Sequence, residues 1–198
     1  MKSKNWLQRN HKDIYVKKAK EAGYLSRAAY KLIDIENKYK LIRKSNNLLE
    51  IGSSPGSWTQ IIYEKNKTLK VTAFDLIDMK FKNKNLNFIQ KDIFKFNFNL
   101  FEDKFDLILS DIAPNTSGHK NTDHLRIISM ITKIIDNLHL LLIPNGNFVF
   151  KIWKGSEEKD LLILLQNFFY KIEYFKPKSS RKDSSEIYIL ALQYLDKK

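Results

Sequence analysis

Lys151 stands alone in an otherwise apolar run, Asn147-Phe148-Val149-Phe150-Lys151-Ile152-Trp153, where a charge is costly unless it is partnered. A lysine in that position can serve as a base, provided that burial or a neighbouring cation weakens its hold on a proton. A lysine that merely emerges from a strand end into solvent would look the same. Upstream, Asp111 follows the apolar run Phe105 to Ser110 in Ser110-Asp111-Ile112-Ala113-Pro114-Asn115 and sets a carboxylate at a strand end. Glu50-Ile51-Gly52-Ser53-Ser54-Pro55-Gly56-Ser57-Trp58 lies between a strand and a helix, and glycine is the residue that lets backbone approach a ligand there. Asp75 ends Val71-Thr72-Ala73-Phe74, where a carboxylate can accept hydrogen bonds from two ribose hydroxyls. Asp92 follows Phe88-Ile89-Gln90-Lys91, well placed to take a bond from an adenine amino group. Either acid could equally be a solvated turn cap.

A dinucleotide fingerprint would read Gly-x-Gly-x-x-Gly and present a helix terminus to a pyrophosphate. Here Gly56 comes four residues after Gly52, with Pro55 before it, no third glycine follows, and Trp58 crowds the helix start. The loop therefore favours S-adenosyl-L-methionine over a dinucleotide, whereas Asp75 does not separate the two. Enzymes that methylate base nitrogens place Asn/Asp-Pro-Pro-aromatic where Asp111 stands, the aromatic stacking on a flipped base. Ile112-Ala113 before Pro114, with Asn115 after it, argues against that chemistry. Transfer to a hydroxyl is an in-line displacement, which requires oxygen and methyl to be aligned and one proton to be managed.

These residues need elements to hold them. Apolar runs at 47–51, 70–74, 86–90, 105–110, 146–152, 170–175 and 186–193 predict seven strands. Helices are predicted over 6–22, over 26–38 with Ser26 as cap and Ala29, Leu32 and Ile33 inward, and over 123–142 with Asp123 as cap. Pro144-Asn145-Gly146 turns the chain after the third, and a further helix follows Ser156 with Glu157 and Glu158 at its amino end. Alternation of strand and helix implies a mostly parallel sheet with helices on both faces. The last two runs are joined by too short a loop for a helical crossover, so they pair antiparallel. The expected fold is α/β and Rossmann-like, seven-stranded with an antiparallel last strand, the arrangement of class I methyltransferases. Ligands of such sheets bind at the carboxyl ends of the strands, which is where the Gly52–Trp58 loop sits.

The 198 residues fit one domain, 1–198, with 1–40 as a basic helical extension packed on it. There is no cysteine, which excludes disulfides and thiolate metal sites. Lys plus Arg number 35 against 22 Asp plus Glu, a net charge of +13 that suits a polyanionic partner. The lysine drift of a compositionally biased genome would give the same excess. No segment approaches the roughly 20 apolar residues of a membrane span, and Met1 to Trp6 lacks a secretory signal. No membrane partner and no metal are expected, and the protein is expected to be a monomer. Its compartment would be the cytoplasm, or an organelle if a transit peptide has been removed. Arg9, His11, Lys12, Lys17, Lys18, Lys20 and Arg27, together with the Lys176–Lys182 loop, are expected to form a positive rim for phosphates.

The chain resembles the FtsJ/RrmJ-type (RlmE-like) 2′-O-ribose RNA methyltransferases over essentially its whole length. The likeness is carried by Trp6-Leu7-Gln8, Asp13 to Ala19, Ser26 to Leu32, Gly52 to Trp58, Asp75-Leu76, Asp92, Ser110 to Gly118, Phe148 to Lys151, Lys176 to Arg181 and Ser185 to Tyr188. The resemblance implies a catalytic tetrad of Lys31, Asp111, Lys151 and Glu186, and cofactor contacts at Gly56, Trp58, Asp75, Asp92 and Asp111. It makes Lys151 the base or the residue that orients the hydroxyl, and Lys31 the cation beside it. Asp111 and Glu186 would hold the two ammonium groups; which lysine takes the proton stays open. Glu50 replaces the usual Asp, Ser53-Ser54 the usual Ala-Ala, and Ser57 a usual glycine, changes expected to alter affinity at most. A 2′-hydroxyl makes RNA the substrate. The opening Trp-Leu-Gln and the Pro114–Gly118 loop resemble the branch acting on a uridine of large-subunit (23S-type) ribosomal RNA. The alternatives are a tRNA anticodon-loop methyltransferase, then an mRNA-cap enzyme, and a catalytically silent RNA-binding ribosome-assembly factor.

Overall fold

Strands this short and apolar can satisfy their backbone polar groups only by pairing with one another. In the computed structural model, which describes residues 13–181 and 183–196, they do so in one sheet. The strands are β1 (Asn47–Ile51), β2 (Lys70–Asp75), β3 (Leu86–Gln90), β4 (Phe105–Ser110), β5 (Leu142–Trp153), β6 (Phe169–Phe175) and β7 (Glu186–Tyr194). Their order is β3-β2-β1-β4-β5-β7-β6, parallel from β3 to β5. β7 slots in antiparallel between β5 and β6. The order reverses at β1 and β4, so the helices that follow these two strands lie on opposite faces of the sheet and leave a crevice at the strands' carboxyl ends. The expected seven-stranded Rossmann-like sheet is the one observed.

Helices cover both faces. They are α1 (Ile14–Glu21), α2 (Ala29–Tyr39), α3 (Ser57–Lys65), α4 (Lys120–Ile135), the single turn α5 (Leu138–Leu141) and α6 (Glu158–Gln166). Ile131 and Ile134 of α4 and Leu161 and Leu165 of α6 pack on Phe148, Phe150, Ile152 and Ile189. On the opposite face Ala29, Leu32, Trp58 and Ile61 of α2 and α3 pack on Val149, Tyr188 and Leu190. Alternate residues of β5 thus feed two cores, as the period of two in a strand requires. Among the described residues no helix is long and apolar enough to cross a membrane.

Several boundaries differ from expectation, each for a local reason. Ser26 is not the cap of α2, which begins at Ala29; its hydroxyl accepts from Ala28 N and bonds the Ser57 hydroxyl at 2.7 Å, stitching two helix starts together. Asp123 is not a cap either. It lies inside the first turn of α4 and accepts from Ser117 N and Ser117 Oγ at 2.7 and 2.8 Å, closing the preceding loop. The expected helix 123–142 is broken at Asp136-Asn137, where the Asn137 amide donates back to the Lys133 carbonyl at 2.8 Å. Asparagine offers the backbone such an alternative to continuing a helix. Pro144-Asn145-Gly146 lies within β5, which starts earlier than expected and absorbs the turn as an irregularity with Asn145 at φ +63°. The predicted helix over 6–22 is seen from Ile14, capped by Asp13. Trp6-Leu7-Gln8, Arg9, His11, Lys12 and Lys182 lie outside the described residues.

Candidate active site

Lys151 on β5 faces Tyr188 on β7. Directly opposed residues of an antiparallel pair share a face, and so do residues two apart on one strand. Lys151, Tyr188 and Glu186 therefore all project beneath α2 and α3. Lys151 is 6% exposed, and its ammonium donates to Asp111 Oδ1 at 2.7 Å and to the Asp111 carbonyl at 2.8 Å. The Tyr188 hydroxyl donates to the same Oδ1 at 2.7 Å. From α2, Lys31 Nζ reaches Glu186 Oε2 at 2.5 Å, while Glu186 Oε1 accepts from Ser180 Oγ at 2.9 Å. The four residues expected to act together form two lysine–carboxylate pairs in one place.

Their electrostatics are coupled. Burial alone would raise the Asp111 carboxyl, but Lys151, Lys31 and the hydrogen bonds from Lys151 and Tyr188 outweigh it and hold Asp111 below the usual carboxylate range. Burial, then the charges of Asp111 and Glu186, push Tyr188 well above an ordinary phenol, so it stays a donor. Tyr188 was not expected as a site residue. The signal was present in Glu186-Ile187-Tyr188, since two residues separate positions on one face of a strand.

Asp111 also lines a cavity of about 630 Å3 at the crevice, with Gly52, Asp75 and Asp92 around it. Asp75 is fixed by two backbone amides, Ser54 N to Oδ2 at 2.8 Å and Ile77 N to Oδ1 at 2.9 Å. Asp92 is fixed by Phe94 N at 3.0 Å. Carboxylate oxygens carry further lone pairs, so both acids can still accept from a ligand. Leu76 and Ile77 are each 64% exposed and Phe94 49%, and all three line this cavity. Exposed apolar side chains beside oriented acids suit a flat heterocycle carrying hydroxyl and amino donors. Gly52, at φ +82°, sits where a Cβ would fall 2.6 Å from the backbone of Ile112, so the loops after β1 and β4 touch at this glycine.

Two expected contacts sit differently. Gly56 and Trp58 are not among the cavity-lining residues. Gly56, at φ +111°, gives way to Phe81, against which a Cβ would lie at 2.5 Å. The Trp58 side chain is buried; its indole donates to the Ala28 carbonyl at 2.8 Å and its ring lies 5.8 Å from that of Tyr188. Its side chain thus supports the floor of the tetrad, and only free amides of the first turn of α3 remain for a ligand. The basic rim is also revised. Arg27 is turned inward, bonded to Asp13 and to the Ser179 carbonyl, and Arg181 bonds the same Asp13 at 3.1 Å. Arg27 therefore ties Asp13 to the β6–β7 loop, while Lys17, Lys18, Lys20 and Lys178 are exposed and Lys176 donates to the Ser184 carbonyl at 2.7 Å.

A family model described as FtsJ-like methyltransferase matches residues 24–194. The Ribosomal RNA large subunit methyltransferase E of Anaplasma phagocytophilum is 41% identical over 97% of this chain and 81% of its own length. Its counterpart in Ehrlichia chaffeensis is 40% identical, over 98% and 94%. Among solved structures, a Plasmodium falciparum ribosomal RNA methyltransferase aligns with a TM-score of 0.75 and 34% identity, over 87% of this chain and 99% of that one. A Burkholderia thailandensis N1-methyltransferase, at 15% identity and a TM-score of 0.59 over 98% and 91%, shares the fold. With the family model matching residues 24–194 and relatives of this identity aligning over nearly the whole chain, the chain belongs to the FtsJ-like methyltransferase family.

Proposed function

We propose that the protein transfers the methyl group of S-adenosyl-L-methionine to a ribose 2′-hydroxyl of large-subunit ribosomal RNA, in the bacterial cytoplasm. The observation that carries this is the pair of buried lysine–carboxylate contacts, Lys151–Asp111 and Lys31–Glu186, assembled beside a cavity to which Asp111 contributes. The names of its relatives support ribosomal RNA over tRNA.

The cavity residues fit the cofactor. Asp75 would accept from the ribose hydroxyls and Asp92 from the adenine amine, with Leu76, Ile77 and Phe94 against the ring and Asp111 towards the sulfonium. When bound, the cofactor supplies an electrophilic methyl on a positively charged sulfur. Everything else is the work of this chain. Lys151 is pinned by two bonds to Asp111 and has one N–H direction left for a hydroxyl. Tyr188 fixes the carboxylate that pins it, and Glu186 holds Lys31 as a second cation for the charge growing on the attacking oxygen. The two ammonium groups would hold the attacking oxygen in line with the donor methyl, and one of the two lysines would pass the hydroxyl proton on to solvent.

Radiolabelled methyl should enter ribosomal RNA of large subunits lacking the modification, at a single ribose, and tRNA far less. Preferential labelling of tRNA would move the substrate to the anticodon loop, and no labelling of any RNA would leave a silent assembly factor. The cofactor loop makes a separate prediction. Gly52→Ala should weaken S-adenosyl-L-methionine at least tenfold in calorimetry, because its Cβ must push the β1 loop away from Ile112. Circular dichroism should report the fold retained. Unchanged affinity in that variant would show that the loop can yield without disturbing the site.

A further inference from the structure

A second cleft of about 650 Å3 adjoins the tetrad, and it shares no lining residue with the cavity described above. Asp111 belongs to the first; Lys31 and Glu186 belong to the second. Three of the four residues thus line one chamber or the other, with Lys151 lining neither, an arrangement that suits one chamber for each reactant of a two-substrate transfer.

The walls of the second cleft have a distinct chemistry. Val16, Ala19, Tyr24 and Leu25 give an apolar side, and Lys20, Arg27, Lys31 and Arg181 give cations, of which Arg27 and Arg181 bond Asp13 and Lys31 bonds the one lining acid, Glu186. Leu25 is 40% exposed, yet the turn that carries it is fastened to α3. Leu25 N donates to Gln60 Oε1 at 2.9 Å, Gln60 Nε2 donates to the Gly23 carbonyl at 3.0 Å, and the Tyr24 hydroxyl donates to Glu64 at 3.0 Å. The Tyr24 ring is further braced edge-on by Tyr30 at 5.8 Å. An apolar surface held rigid beside cations matches a flat ring attached to an anion. An unstacked RNA nucleotide has that composition, since single-stranded bases are recognised on aromatic and apolar surfaces and their phosphates by lysine and arginine.

We propose that this cleft seats the target nucleotide, its base against Tyr24 and Leu25, its phosphate on Lys20, and its ribose turned towards Lys31. The nucleotide must leave any helix to enter, so the substrate presents it splayed out. This assignment rests on the methyl transfer proposed above and specifies where the RNA half of that reaction lies.

Methyl transfer to undermethylated large subunits from wild type, Leu25→Ala and Lys20→Ala tests it, with cofactor affinity measured in parallel by calorimetry. Leu25→Ala should raise KM for RNA about tenfold, leave the salt dependence unchanged and keep cofactor affinity within twofold. Lys20→Ala should raise KM and lower the slope of log KM against log salt by about one, as the loss of one phosphate contact does. Ile77→Ala, on the rim of the first cavity, should show the converse, weaker cofactor with an unchanged KM for RNA. Active wild type with unaltered RNA KM in both cleft variants would overturn the assignment alone. Wild type that methylates no RNA would overturn the proposed function, and the nucleotide seat with it.

Discussion

Lys151→Ala is expected to slow methyl transfer by about a thousandfold or more, within the range for losing a positioned acid–base group, while S-adenosyl-L-methionine binds within a few-fold of wild type. The separation follows from geometry. Lys151 is absent from the residues lining the cofactor cavity and acts on it only through Asp111, to which its ammonium gives two hydrogen bonds. Truncation leaves the Asp111 carboxylate buried with the Tyr188 hydroxyl as its remaining close donor and Lys31 as its remaining nearby cation. Burial, the largest influence on that carboxyl, then raises it with less to oppose it. Stability should therefore fall too, since removing one partner of a buried pair costs about 3–5 kcal/mol. Single-turnover rates at saturating cofactor, taken below the melting temperature of the variant, isolate the chemical step from that loss. A rate within tenfold of wild type would remove Lys151 from the chemistry. The double variant Lys151→Met with Asp111→Asn should recover stability without recovering rate, which tells a positioning loss from an unfolding one.

Lys151 and Asp111 were legible because each interrupts or ends a run that is otherwise apolar, and a charge there demands a partner. Neither periodicity nor spacing could pair them with Lys31 and Glu186; only the family resemblance did. The reason is topological. β7 enters the sheet between β5 and β6, so Tyr188 comes to face Lys151 through a pairing of residues far apart in sequence. Period-two alternation tells which residues of one strand share a face, but not which strand lies beside it. Trp58 shows the complementary limit. A motif residue can be assigned to a ligand by position when its side chain points into the core, where the Ala28 carbonyl claims the indole N–H. Arg27 reads as a free cation in sequence, since nothing local reveals Asp13 and Ser179 converging on it. Ser26 and Asp123 failed as caps because their side chains had nearer or more distant partners than the helix ends behind them.

Glu50 is the clearest case of a residue whose role lies below what a motif conveys, and it yields the second large effect. In sequence it stands for a usual aspartate, but in the sheet it is a carboxyl 1% exposed within Leu48-Leu49-Glu50-Ile51, with Thr59 Oγ1 donating to Oε2 at 2.6 Å. Its Oε1 has no hydrogen-bond partner among the described residues. Burial, only partly offset by the Thr59 hydroxyl and reinforced by the charges of Asp111 and Asp75, pushes the Glu50 carboxyl up to about 8 from 4.5. Glu50 is therefore protonated in the folded protein at neutral pH and ionised in the unfolded chain. The folded state binds the extra proton between about 4.5 and 8, so stability falls as pH rises across that window. Glu50→Gln keeps the shape and an acceptor for Thr59 but has no proton to lose. Its stability relative to wild type should climb by about 4 kcal/mol between pH 4.5 and pH 8.5, following roughly 1.4 kcal/mol for each unit of displacement. Other titrating groups, Asp111 among them, are common to both proteins and cancel in the difference. Urea unfolding at intervals across the range reads that difference directly, and two parallel stability profiles would show that Glu50 ionises normally in the folded protein.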